Sequence, residues 1–226
     1  MIPAPAGRTP AYLAIADELA AGYAALPPGT LVDSEHQIAE RFTVNRLTAR
    51  EVLRELERRL IVRREVGRGT FTTFRIEYPV EVGGAASFQA NVAAAGHTIT
   101  PLSVVLTSDG DEVVLRRVSA VDGFVAVTGD DRFPAAVGEL IGERVADGGS
   151  IRAALESVGY SPRRQSTHVS VAVPPPDVGA RLGFSGSPPP TWRLRSVTVD
   201  ALGVVIDRSD GWLRTDMFDV HVRVGG

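Results

Sequence analysis

The sequence has no cysteine and no lysine, few aromatic residues and no long apolar run, and each lack removes a class of function. Without cysteine there is no disulfide staple, thiolate metal site or cysteine nucleophile, and a reducing compartment is the natural setting. No stretch approaches the roughly 18 apolar residues of a membrane span, and the opening "MIPAPAGRTPAY" lacks the apolar core of a signal peptide. Neither insertion nor secretion is expected, which leaves the cytoplasm. The histidines, His36, His97, His168 and His221, are scattered without metal-ligand spacing, no nucleophile elbow occurs, and the "GRG" at Gly67 fits neither nucleotide-binding glycine pattern. No metal and no cofactor is implied.

Arginine is what the chain has instead. All 24 cationic side chains are arginine, against 27 acids. Residues 1–75 carry 11 Arg against 9 Asp and Glu, and the rest 13 against 18, so a mildly basic head precedes an acidic body. Within the head, residues 41–68 hold nine arginines against four acids. Such a cluster is a footprint for a polyanion. The competing reading is a solvated helix face laced with Glu and Arg pairs.

The 226 residues exceed the usual single domain of about 100 to 150, so two domains are expected. In the head, "YLAIADELAAGYAA" places Leu13, Ala16, Leu19, Ala20 and Tyr23 on one stripe of a helix that "LPPGT" ends. "DSEHQIAERF" starts a second helix behind Asp33 or Ser34, with Ile38, Ala39 and Phe42 inward. Asn45 caps a third from Arg46 to about Arg59, with Ala49, Val52, Leu53, Leu56 and Leu60 inward and Arg46, Arg50 and Arg54 drifting along its outer face. "IVRREVGRGTFTT" reads as two short strands around Gly67 and Gly69, which tolerate positive φ. Three helices and a hairpin make a winged helix-turn-helix. Arginines at the first turns of its third helix suit phosphates and the O6/N7 edge of guanine, and Arg68 at the hairpin tip suits a narrow minor groove.

Beyond the head, "EVVLRRVSAV" and "FVAVTGDDRFP" read as strands around an Asp122-Gly123 turn, "SIRAALESVGY" as a helix capped by Ser150, and "DVGARLGF" as a short helix between proline clusters. "QSTHVSVAV", two segments turning near Leu202-Gly203, and "DMFDVHVRV" supply further strands. Tight turns between strands imply an antiparallel sheet with helices attached, so the fold class is α+β.

Residues 12–73 resemble the DNA-binding domain of the GntR family of bacterial transcription regulators, whose pattern "LPSERxLAxxFGVSRxTVRxALxxLxxxGLIxxxxGRGTFV" stands here as "LVDSEHQIAERFTVNRLTAREVLRELERRLIVRREVGRGTF". The resemblance implies DNA contacts from Arg46, Thr48 and Arg50 on the recognition helix and from Arg68 and Gly69 on the wing. Ser34 and Glu35 match the start of the second helix, and His36 stands where the family has an arginine. With the cap Asn45 these complete the candidate DNA-binding set. Thr43 and Leu60 replace common glycines.

From about Ala86 to Val224 the order of elements resembles the UTRA effector domain of the HutC subfamily, which shares the chorismate-lyase fold. The implied organisation is a winged helix-turn-helix over 1–75, a linker over 76–85 and a UTRA effector-binding and dimerisation domain over 86–226. The matching pieces imply effector contacts from Arg117, Ser150 and Asp207. Ser119, Gly129, Arg152 and Leu213 depart from the family pattern, and Arg152 adds a second guanidinium. An anionic effector is the expectation: phosphate, phosphonate or carboxylate. "YPVEVGGAASFQANVAAAGHTITPLSV" is similar to a segment of phosphonate-operon regulators. Alternatively Arg117 and Arg152 bind Asp130, Asp131 or Asp207. The functional expectation is a homodimeric repressor on a double-stranded DNA operator, released by an effector. A regulator with a degenerate pocket and a chorismate-lyase-like enzyme are the alternatives.

Overall fold

The computed structural model describes residues 10–223 apart from 28, 66, 74, 82–86 and 185. It divides after residue 74 into two compact units.

The N-terminal unit contains α1 (Ala11–Tyr23), α2 (Glu35–Arg41), α3 (Arg46–Arg58) and the antiparallel hairpin of β1 (Val62–Glu65) and β2 (Gly69–Thr72). The expected helix starts are present as side-chain caps. Ser34 accepts from the Gln37 amide while the Gln37 side chain returns a bond to the Ser34 amide, and Asn45 Oδ1 accepts from Thr48 N at 2.8 Å. Each such cap contributes about 1 kcal/mol. Ala16, Leu19 and Tyr23 from α1, Ile38 from α2, and Ala49, Val52, Leu53 and Leu56 from α3 form one core with Val62. It holds α3 against the other helices and leaves its arginine face exposed.

Among the described residues of this unit, Thr43 at φ 51 and Leu60 at φ 58 stand in the left-handed region without being glycine. They end α2 and α3, and the strain answers why glycine would suit both places. Leu60 is half-buried, but Thr43 is exposed and loses no packing on replacement. Thr43→Gly is therefore expected to stabilise the unit by about 1 kcal/mol, read as a higher midpoint in thermal unfolding.

The C-terminal unit is built on a six-stranded antiparallel sheet in the order β4-β5-β6-β9-β8-β7. These strands are β4 (Ile99–Asp109), β5 (Glu112–Val121), β6 (Phe124–Pro134), β7 (Arg163–Ala172), β8 (Thr191–Val199) and β9 (Val205–Leu213). β5 and β6 turn at Asp122 and Gly123, both at positive φ. α5 (Ala135–Val145) and α6 (Ile151–Ser157) pack Val137, Ile141, Val145, Ala154 and Leu155 onto Leu115, Phe133 and Ile206 of one sheet face. α7 (Pro176–Arg181) sets Val178, with Leu182, on Trp212 of β9.

Residues 76–81, expected from the sequence to be linker, form strand β3 (Ile76–Glu81). It pairs in parallel with β10 (Phe218–Arg223), Ile76 opposite Phe218. The alternation of Ile76, Tyr78 and Val80, all buried, explains the strand. Positions 82–85 of that expected linker lie outside the described residues. Tyr78 packs on Phe218 and on Phe88, the first residue of α4 (Phe88–Ala94), with ring centroids 5.4 to 6.4 Å apart.

Candidate functional site

The first site is the outer face of α3. Arg46 and Arg50 are exposed and Thr48 half-exposed, all near the helix N-terminus, where backbone N–H groups and the dipole favour an anion. Arg50 is engaged: its Nε and Nη2 donate to Glu35 Oε2 and Oε1 at 3.1 and 3.2 Å. This fork holds the Glu35 carboxyl below the usual carboxylate range, the Arg50 hydrogen bonds being the main cause. Further along, Arg54 pairs with Glu51, Arg58 and Arg59 share Glu55, and Arg64 meets Glu57. The solvated-face reading is thus realised over the C-terminal part of α3. Among the described residues Arg46 is in no ion pair. His36 and Ser34 are exposed on α2 and at its cap. At the hairpin tip Arg68 pairs with Glu65 at 2.7 Å, with its guanidinium over Phe71, and Gly69 takes φ 125.

The second site is a cavity of about 190 Å³ in the C-terminal unit. Arg117 from β5, Arg152 from α6 and Asp207 from β9 line it. Ser150 does not line it: its Oγ accepts from Ala153 N at 3.3 Å and caps α6. Arg152 lines the cavity but is held by Glu156 at 2.8 Å and by the Pro162 carbonyl at 3.2 Å. The four departures from the expected pattern, Ser119, Gly129, Arg152 and Leu213, all face this one space.

Two lining residues escaped sequence reasoning as ligand contacts. Asp131 of β6 takes the Arg117 guanidinium at 3.1 Å, so one of the alternative pairings is realised. Its signal was available: in "FVAVTGDDRF" Asp131 shares the parity of Val127 and Phe133, where a charge is unexpected. Arg164 of β7 gave no such signal, because it sits at a bulge that breaks the strand alternation. Of the irregularities in the sheet, those at Ser119, Arg164 and Thr198 fall on the cavity wall, whereas the one at Pro101–Ser103 does not.

Asp131 and Asp207 are only 8% and 6% exposed. Burial pushes both carboxyls up, and for Asp207 the Asp131 charge adds to the effect. Asp207 Oδ2 receives a long bond from Thr198 at 3.4 Å, and its buried Oδ1 has no hydrogen-bond partner among the described residues. The wall of the cavity therefore carries carboxyl groups as well as guanidinium groups. Elsewhere Arg214 and Asp216 form a fork at 2.9 and 2.6 Å, a structural pair in a turn.

Residues 11–72 match the family model of bacterial regulatory proteins, gntR family, and residues 105–219 match the UTRA domain. The chain is a GntR-family DNA-binding transcription regulator with a UTRA effector domain. Among solved structures, PhnF from Mycobacterium smegmatis is 24% identical with a TM-score of 0.61, the match covering 94% of this chain and 99% of that one. The effector domain of the same PhnF matches at 17% identity and a TM-score of 0.54, over 65% of this chain and all (100%) of that one. The possible transcriptional regulator YydK from Bacillus subtilis matches at 16% identity and a TM-score of 0.50, over 95% of this chain and 99% of that one. At these identities the likeness is one of fold. No curated protein sequence matches significantly. In GntR and UTRA terms, the first site belongs to the DNA-binding part and the cavity to the effector domain. No helix among the described residues is long and apolar enough to cross a membrane.

Proposed function

We propose that this regulator is a homodimeric repressor in the cytoplasm that reads a double-stranded operator through Arg46, Thr48 and Arg50 of α3, with Arg68 and Gly69 of the wing following the adjacent groove. Glu35 holds Arg50 until DNA takes the guanidinium over, Ser34 and Asn45 hold the two helix starts, and His36 reaches toward the backbone. The proposed domain limits are 1–75 for DNA binding and the remainder for effector binding and dimerisation, the latter beginning with β3. A small effector in the cavity, held by Arg117, Arg152 and Asp207, shifts the population toward arrangements of the two heads that no longer match the operator.

The single observation that carries this reading is Arg46: exposed at the first turn of the third helix of a winged head, outside any ion pair among the described residues. A guanidinium left unpaired there suits a phosphate or a guanine edge. Against a degenerate pocket stands the cavity itself, whose every departure from the family pattern is a wall residue. Such changes alter what is bound without filling the space.

The test is capture of random genomic fragments by the purified protein, followed by sequencing and by titration of the enriched site against salt. An inverted repeat with half-sites about one helical turn apart is expected, and its affinity should fall steeply with salt as phosphate contacts release counterions. Sequence-independent recovery, or affinity flat with salt, would remove the operator reading.

A further inference from the structure

The cavity wall contains complementary shortages. Asp207 Oδ1 is a buried carboxylate oxygen without a donor, and its other oxygen has only the long Thr198 bond. Arg164 engages Tyr78, yet its buried Nε has no acceptor among the described residues. Arg117 is satisfied on one side by Asp131 and on the other only by the Gly149 carbonyl at the limiting distance of 3.5 Å. Leaving a buried polar atom unpaired is costly, and more so for a charged group. The two residues that carry these atoms both line one space.

The strand register explains how they meet. Asp131 lies opposite Ser209 on the β6–β9 ladder, and Asp207 is two residues along β9 on the same face, so the two carboxylates are diagonal neighbours. Asp207 lies opposite Thr198, beside the β9 bulge at Ile206, and Arg164 lies at the β7 bulge. Bulges re-aim side chains, here toward the same cavity. A purely anionic occupant would answer Arg164 and Arg117 but would set its charge against Asp207. A purely cationic one would do the reverse.

We propose that the effector is a small zwitterion, with its ammonium group on Asp207 and Asp131 and its acid group on Arg164 and Arg117. The assignment rests on the reading of this cavity as the effector site and narrows the ligand class within it. It replaces the anion-only expectation by a ligand of both signs. Arg164 and Asp131 become specificity determinants, because they supply the second half of each contact.

The experiment is calorimetric titration of the full chain with three matched sets of short probes: ω-amino acids with carboxylate or phosphonate heads, the same acids without the amine, and the same amines without the acid. Some ω-amino acids should bind, with the matched acid and the matched amine each weaker by about tenfold or more, which is about 1.4 kcal/mol. Asp207→Asn should remove the discrimination between amino acid and plain acid while keeping weak acid binding. Acids that bind as well as amino acids, with Asp207→Asn unchanged, overturn the zwitterion and leave the effector reading intact. Silence from all three sets overturns both. Thermal unfolding of Asp207→Asn checks that the variant is folded.

Discussion

Arg117→Met is expected to destabilise the C-terminal unit by about 3 kcal/mol, because it leaves Asp131 as a buried charge without its partner. The loss depends on pH with a definite sign. Burial already raises the Asp131 carboxyl, and only the Arg117 charge and hydrogen bond oppose it. Without Arg117 the folded-state value rises further above the unfolded one, near about 3.9. A group raised in this way contributes stability below its unfolded value and loses that contribution as pH rises through the folded one. The deficit of Arg117→Met should therefore be greatest at neutral pH and shrink on acidification. Adding Asp131→Leu should recover most of the loss, since replacing both members of a buried pair is often neutral. Denaturant titrations of the single and double variants at two pH values measure this. A single variant as stable as the parent at neutral pH would mean that water replaces Arg117. The same pairing warns against reading lost effector response in Arg117→Met as lost effector contact; the double variant separates the two.

Arg46→Ala should weaken operator binding by about 1 to 3 kcal/mol if the contact is to a base, and should lower the salt slope by about one if it is to a phosphate. Arg50→Ala should cost less, since that guanidinium must first leave Glu35 or carry the carboxylate into the interface. Glu35→Gln is then expected to tighten binding, because it frees Arg50 and removes a negative charge from the face presented to DNA. Fluorescence anisotropy titrations over a range of salt rank the three. If Arg50→Ala proves the more damaging, the fork with Glu35 is the preorganised contact and Arg46 is the bystander.

What could be read beforehand follows from how local each cause is. Ser34, Asn45 and Ser150 announced helix starts because a cap needs only the next turn, and all three side chains cap as expected. β5 and β6 were legible because Asp122-Gly123 joins two neighbouring alternating runs. β3 was not, since what makes Ile76–Glu81 a strand is a partner at the far end of the chain. β4 is a mostly exposed edge strand containing Pro101, which gives neither periodicity nor a clean boundary. α5 hides behind two glycines. One of them, Gly138, is needed because a Cβ there would fall 2.3 Å from Val113. For the site, residue identities were legible and their engagements were not. Nothing in the order of residues ties Arg50 to Glu35 across two helices, and Arg117 to Asp131 stood only as one of several alternative pairings.

The β3–β10 pair also bears on how the protein is made. Everything the N-terminal unit needs lies within its first 74 residues, whereas the C-terminal unit cannot close its parallel pair until Phe218–Arg223 has left the ribosome. At roughly 5 to 20 residues per second of synthesis, the DNA-reading head is finished well before the sensing body exists. A nascent chain in that interval is able to fold its recognition helix and has nothing with which to be told to let go.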